Sequence, residues 1–241
     1  MRLALVSGGS RGLGAALCAH WRGQGWRAID CSRSGAGPDH LAVDLADPQA
    51  AEQVLVPALA ALARQPWQEV VVVANAARLE PVGPLARLDT AELLRHFAVN
   101  LTGTLVFLKT ALAAFAGHGA ERCLLAISSG AARRPIRGWA PYCAGKAALE
   151  QFMAVLALEQ DDEERPVRTL TVSPGVLDTG MQQRIRASDP AEFPDRDQFV
   201  AFQDSGALRD PAVVAAAIAD WLANRPDNGS RFDASELLLP R

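Results

Sequence analysis

With 241 residues, 49% hydrophobic and 21% charged, the chain is long enough for one domain with a large core, or at most two small ones. A net charge of −3 with no basic run argues against a nucleic-acid surface, and no apolar stretch is expected to approach the roughly 20 residues that span a bilayer. The four cysteines (Cys18, Cys31, Cys123, Cys143) form no CxxC and the four histidines lack ligand spacing, which reads as reduced thiols in a cytoplasmic protein with no metal site.

In chain order, short apolar runs alternate with helical patterns. Residues 3–6 form a strand candidate, followed by a helix over 12–24, a strand over 27–31 and a short strand over 41–43. A helix covers 48–63. The run EVVVVAN, 69–75, is β-branched and apolar on both faces, as a sheet covered on both sides requires. A single long helix is expected over 90–115, a strand over 123–129, a helix over 140–160, a strand over 167–173 and a helix over 211–223. The acidic cluster at 161–164 reads as a solvated loop. Strands separated by helices imply crossover connections and a doubly wound, Rossmann-type α/β sheet, all parallel, in one domain spanning 1–241.

The segment LALVSGGSRGLGAAL sets Gly8, Gly12 and Gly14 between the first strand and the first helix. Glycines there permit a tight turn and bring a pyrophosphate close to the free N–H groups of a helix N-terminus. The spacing is G-x-x-x-G-x-G, not the commoner G-x-G-x-x-G. At the end of the second strand an acidic residue would hold a ribose 2′-OH. Here Asp30 lies inside the strand and Ser32-Arg33 occupy its exit, with Arg11 in the glycine loop. Two guanidiniums suit a 2′-phosphate, so NADP(H) is expected over NAD; the alternative is a pair of solvated surface arginines. Asp44 either accepts from an adenine amino group or caps the next helix.

Tyr142 and Lys146 lie one helical turn apart in GWAPYCAGKAALEQF. Alone, a YxxxK pair is ordinary surface. In this chain it falls within an ordered set: Ser7-Gly8 with Gly12-Leu13-Gly14, then Ala74-Asn75-Ala76-Ala77 at a strand end. Asn100 follows in VNLTGT, Ser129 stands thirteen residues before Tyr142, and Pro174-Gly175 precede Thr179. This order and spacing resemble the short-chain dehydrogenase/reductases over nearly the whole length. The segments RGWAPYCAGKAAL, SPGVLDTGMQQ and GSRFD resemble the sepiapterin reductase branch of that family. Two features depart from the pattern: the strand-end motif lacks its first Asn and its Gly, and a lid segment at about 180–210 matches poorly.

The resemblance implies an NADPH-dependent carbonyl reductase acting on a side-chain ketone or diketone, such as a pterin, or on an aromatic diketone or 3-oxoacyl group. It makes Tyr142 the proton donor and Ser129 the group that holds the carbonyl oxygen. Lys146 would bind the nicotinamide ribose and lower the tyrosine's pKa. A fall of about 3 units corresponds to roughly 4 kcal/mol of phenolate stabilisation. Asn100 would orient a water leading from Lys146 to solvent. The cofactor would run along Gly8, Ser10, Arg11, Gly12, Leu13 and Gly14, then Ser32, Arg33, Asp44 and Leu45. Asn75, Ala76, Tyr142, Lys146, Pro174, Gly175, Leu177 and Thr179 would complete its path, Thr179 being otherwise the N-cap of a short helix. Asp233 would anchor a pterin ring, or else cap a turn. Pairing of helices 90–115 and 140–160 would make a homodimer, or a tetramer, using Leu101, Leu105, Leu108, Leu149, Phe152 and Leu156. A protein that binds NADP(H) without turnover is the remaining alternative.

Overall fold

The apolar runs pair into one sheet. In the computed structural model, which describes residues 1–234, seven strands are all parallel in the order β3-β2-β1-β4-β5-β6-β7. They are β1 (Arg2–Ser7), β2 (Arg27–Ser32), β3 (His40–Ala42), β4 (Glu69–Ala74), β5 (Glu121–Ile127), β6 (Arg168–Ser173) and β7 (Arg231–Asp233). The four valines at 70–73 are each no more than 2% exposed, because helices cover both faces of the sheet. Order reverses between β1 and β4, and the crevice beyond their carboxyl ends is where such sheets bind ligands.

Helices α1 (Gly12–Gly23) and α8 (Pro211–Ala223) cover one face through Leu13, Leu17, Trp21, Val214 and Ile218. On the other face lie α2 (Pro48–Leu62), α3 (Thr90–Phe97), α4 (Thr104–Ala114) and α5 (Ala140–Asp161). Leu55, Leu59, Phe107, Leu149 and Met153 fill the core there. Two shorter helices, α6 (Gly180–Arg186) and α7 (Arg196–Asp204), form the segment expected as a lid.

The expected single helix over 90–115 is interrupted by a π-helical turn, Ala98–Gly103. Two contacts account for it. The Thr104 hydroxyl donates to the Val99 carbonyl at 3.0 Å, and Gly103 meets the Leu45 carbonyl so closely that a β-carbon there would overlap it. The 25 residues of Thr90–Ala114 are long and apolar enough to cross a membrane, which corrects the expectation that no stretch approaches that length. In this fold Phe107, Leu108 and Ala111 pack into the sheet-facing core. Leu108, Leu149 and Leu156 are core residues as well, so they are not available to a subunit interface.

Candidate active site

The glycine loop is built for a close approach. Gly8 and Gly12 take φ of 69° and 54°, where side chains are disfavoured. A β-carbon on Gly14 would overlap the Gly8 carbonyl, and one on Gly8 would lie 3.0 Å from the Ala76 Cα. The Ser7 hydroxyl accepts from the Asn75 and Ala76 amides at 3.0 and 3.1 Å. Asn75 Nδ2 donates to the Ser7 and Gly8 carbonyls. Asn75 and Ala76 therefore brace the loop despite the missing Asn and Gly of their motif. Leu13 is buried beneath the loop, while Ser10 and Arg11 are exposed on it. Helix α1 has no side-chain cap and no acidic residue in its first turn, which leaves its N-terminal N–H groups for an anion. Thr179, at the N-cap of α6, makes no capping bond, and its methyl faces Gly12. These features fit a dinucleotide.

At the exit of β2, Ser32 is buried and Arg33 exposed. Asp30 Oδ2 accepts from the Ser32 hydroxyl at 2.8 Å and lies 3.1 Å from His40 Nδ1, under the loop. The Asp30 carboxylate therefore does not stand at the strand exit. Asp44 is exposed and accepts from the Ala46 amide. The helix cap it was a candidate for is Asp47, which accepts from Ala50. Leu45 is buried, Pro174 is buried, and Gly175 turns at φ 77°. Leu177 bridges to Arg209.

The strand leading to Ser129 ends two residues early, at Ile127, and Ser129 caps the turn Gly130–Ala132. Its Oγ accepts from the Ala131 amide at 3.2 Å and hydrogen-bonds the Tyr142 phenol. Tyr142 and Lys146 are 7% and 4% exposed. Burial pushes the Tyr142 phenol up to about 12, with the Ser129 bond opposing it. The expected lowering by Lys146 is not found. Its ammonium donates to the Ile127 carbonyl at 2.6 Å and sits 5.9 Å from the tyrosine ring centroid. Burial brings Lys146 down to about 8, against the pull of Glu150.

Asn100 lies in the π turn, and its side chain is held by protein neighbours. Oδ1 accepts from the Arg78 amide, and Nδ2 donates to the Arg78 carbonyl and contacts His96 Nε2 at 2.9 Å. His96 Nδ1 pairs with the Glu80 carbonyl at 2.8 Å, and burial holds this ring below its usual pKa. A neutral ring with its proton on Nδ1 satisfies both contacts. The ring stands edge-on to Tyr142 at 6.3 Å.

Tyr142 packs into a buried aromatic cluster that the sequence reading missed. Trp139 stacks on Phe193 at 5.1 Å and 12°, touches Phe199 at 5.0 Å, and meets Tyr142 edge-on at 5.6 Å. The lid supplies both phenylalanines. It is fastened by Arg137 to Asp195, Arg87 to Glu192 and Arg184 to Glu80. Asp233 closes β7 opposite Ser173 and is partly buried. Glu150 was missed too, although its spacing of four from Lys146 is a same-face signal.

The short chain dehydrogenase family model matches residues 2–190. The chain belongs to the short-chain dehydrogenase/reductase family. Members of it use NAD(P)(H), and this chain is an oxidoreductase of carbonyl or CH–OH groups. It is 31% identical to a benzil reductase ((S)-benzoin forming) of Bacillus subtilis (strain 168), over 99% of this chain and 100% of that one. It is 34% identical to the sepiapterin reductase of Mus musculus, over 90% of each chain. Among solved structures, a short-chain dehydrogenase/reductase of Saccharomyces cerevisiae superposes with a TM-score of 0.82 at 25% identity, covering 97% of this chain and 96% of that one.

Proposed function

We propose that this chain is an NADPH-dependent reductase of an aromatic vicinal diketone, or of a closely related ketone flanked by an oxygen-bearing carbon. The observation that carries the reading is the convergence of the Ser129 turn, the buried Tyr142 phenol and Lys146, whose ammonium lies 5.9 Å from the tyrosine ring centroid. A proton donor must hold its proton until the carbonyl oxygen needs it. The buried Tyr142, raised to about 12, does so at neutral pH. Ser129 is oriented by accepting from the Ala131 amide, and its hydroxyl is placed to donate to the carbonyl oxygen when substrate takes the place of the phenol as its partner. Lys146, buried and close to the tyrosine ring, compensates the negative charge that the phenolate gains as the proton leaves. The bound nicotinamide cofactor supplies hydride to the carbonyl carbon. Asn100 holds Arg78 and His96 in place through its side chain, which leaves its backbone to orient a water on the path from Lys146 to solvent.

NADPH is preferred because Arg11 is exposed on the glycine loop and Arg33 just past β2, while Asp30 is buried inside β2 with Oδ2 held by Ser32 and His40. The similarity to a benzil reductase over 99% of this chain supports an aromatic diketone, and the buried cluster of Trp139, Phe193 and Phe199 keeps the surroundings of Tyr142 apolar. A second reading, a pterin side-chain ketone, draws support from Asp233 at the carboxyl end of β7. Exposed Leu94, Val155 and Leu158 on α3 and α5 support a homodimer. Four cysteines without a disulfide suit a cytoplasmic setting.

The test is NADPH oxidation with benzil, sepiapterin and a 3-oxoacyl thioester in parallel. Turnover is expected with benzil. Cofactor binding without turnover of any of the three would overturn the reading in favour of a binding protein.

A further inference from the structure

One carboxylate beside the Ser129–Tyr142–Lys146 row has no part in the reaction described above. Glu150 lies on α5 one turn past Lys146, so Tyr142, Lys146 and Glu150 succeed one another on one helix face. Its side chain is 16% exposed. Oε1 accepts from the Ser128 hydroxyl, and Oε2 accepts from Arg231 of β7, with Arg133 Nε at 3.5 Å. Glu150 thus joins the end of β5, the turn after Ser129 and the edge strand. It also lines a cleft of about 470 Å3 between α5, β6 and β7, together with Arg133, Gln151, Thr171 and Arg231.

The neighbours of Lys146 explain why a carboxylate matters at this point. The ammonium has three donors and makes one hydrogen bond among the described residues, to the Ile127 carbonyl. Tyr142 offers it a ring on α5 and His96 faces it from α3. Arg231 from β7 and Arg133 from the turn both stand against the Glu150 carboxylate. Glu150 is the anionic group in that set, and an ammonium removed from water tends to shed its proton unless a negative charge stands near.

We infer that Glu150 is a positioning residue for the proposed reaction: its carboxylate keeps Lys146 protonated beside Tyr142 and, through Ser128, fixes the backbone that presents Ser129. Burial already brings Lys146 down to about 8, and Glu150 is what raises it. Losing the Glu150 charge lowers the Lys146 pKa further. A rate that needs the ammonium then declines at a lower pH.

The inference rests on the reductase reading only for its kinetic arm, and a second arm is independent of turnover. The chain has two lysines, Lys109 and Lys146, so an NMR titration of lysine side-chain nitrogens follows Lys146 with Lys109 as internal control. In Glu150→Gln, which keeps shape but not charge, the Lys146 midpoint should fall by about one pH unit or more, as loss of a neighbouring opposite charge does. The alkaline limb of kcat for benzil reduction should fall with it, by about tenfold in rate above both limbs. Glu150→Asp should lie between Gln and wild type. NADPH affinity measured below the limb should be retained. An unmoved Lys146 midpoint in Glu150→Gln overturns the inference and leaves Glu150 a structural tie of β7. A moved midpoint in a protein that reduces none of the ketones keeps the inference about Lys146 and rejects the reductase reading instead.

Discussion

At the glycine loop the ligand-reading groups stand outward. Ser10, Arg11 and Arg33 are exposed, and the N-terminal turn of α1 carries no side-chain cap. Around Tyr142 the polar groups are inside: Tyr142, Lys146 and Asn100 are each 7% exposed or less, and Asn100 is saturated by protein partners. The difference lies in what each region asks of the fold. The loop needs backbone shape, supplied by glycines, and surface charges that can be exchanged without disturbing the core. The catalytic row needs dry, fixed groups, so it is built into the packing of α5 against the sheet.

The comparison breaks first at the phenol. Tyr142→Phe removes only the proton and should reduce turnover by about 10²–10⁴-fold, the usual contribution of a general acid. NADPH affinity, followed by fluorescence titration, should change little. More than about a tenth of wild-type turnover would remove Tyr142 from its role.

Backbone shape is tested next. Gly14→Ala sets a methyl on the Gly8 carbonyl and the Asn75 amide, neither of which can retreat. A loss of about 1–3 kcal/mol in a urea melt is expected, with weakened cofactor binding. Gly23→Ala, which meets nothing within 4 Å, is the control and should be neutral or slightly stabilising. Equal behaviour of the two would mean that the loop is not tight.

The exchangeable surface is tested by Arg33→Asp. It should weaken NADPH and improve NADH relative to it by about tenfold or more, the worth of one charge-assisted hydrogen bond or two. Wild type that uses both cofactors equally would refute the phosphate assignment. The smallest effect is expected at the rim. Asp233→Asn should raise KM several-fold for sepiapterin, because an amide cannot accept two adjacent donors as a carboxylate does, and should leave benzil unaffected. Equal losses on both substrates would point to a folding role.

Most of the fold was legible in the sequence because both faces of the sheet are covered, which writes strands such as EVVVVAN as unbroken apolar runs. The glycine loop, Ser129, Tyr142 and Lys146 were legible because each sits at a fixed offset from an element boundary. The π turn was not, since it depends on the Leu45 carbonyl arriving at Gly103 from a distant part of the chain. The aromatic cluster was hidden for a similar reason: Phe193 and Phe199 reach Trp139 only after α6 and α7 fold over it. The direction of the Tyr142 pKa was misread because burial outweighs the nearby charge, and burial is invisible in a four-residue spacing.

The contact between Gly103 and Leu45 has a consequence for anyone who wishes to exchange parts among related enzymes. Leu45 follows Asp44, at the end of the cleft proposed for adenine, and Gly103 belongs to the turn that carries Asn100, at the catalytic end. The two ends touch through bare backbone, with no side chain between them to absorb a mismatch. A cofactor-binding half transplanted from a relative would have to bring its carbonyl to the same spot, or the π turn would rewind and carry Asn100, His96 and Arg78 with it. The segment around Leu45 and the turn that carries Asn100 are therefore inherited together, and Gly103 is where the graft should be checked first.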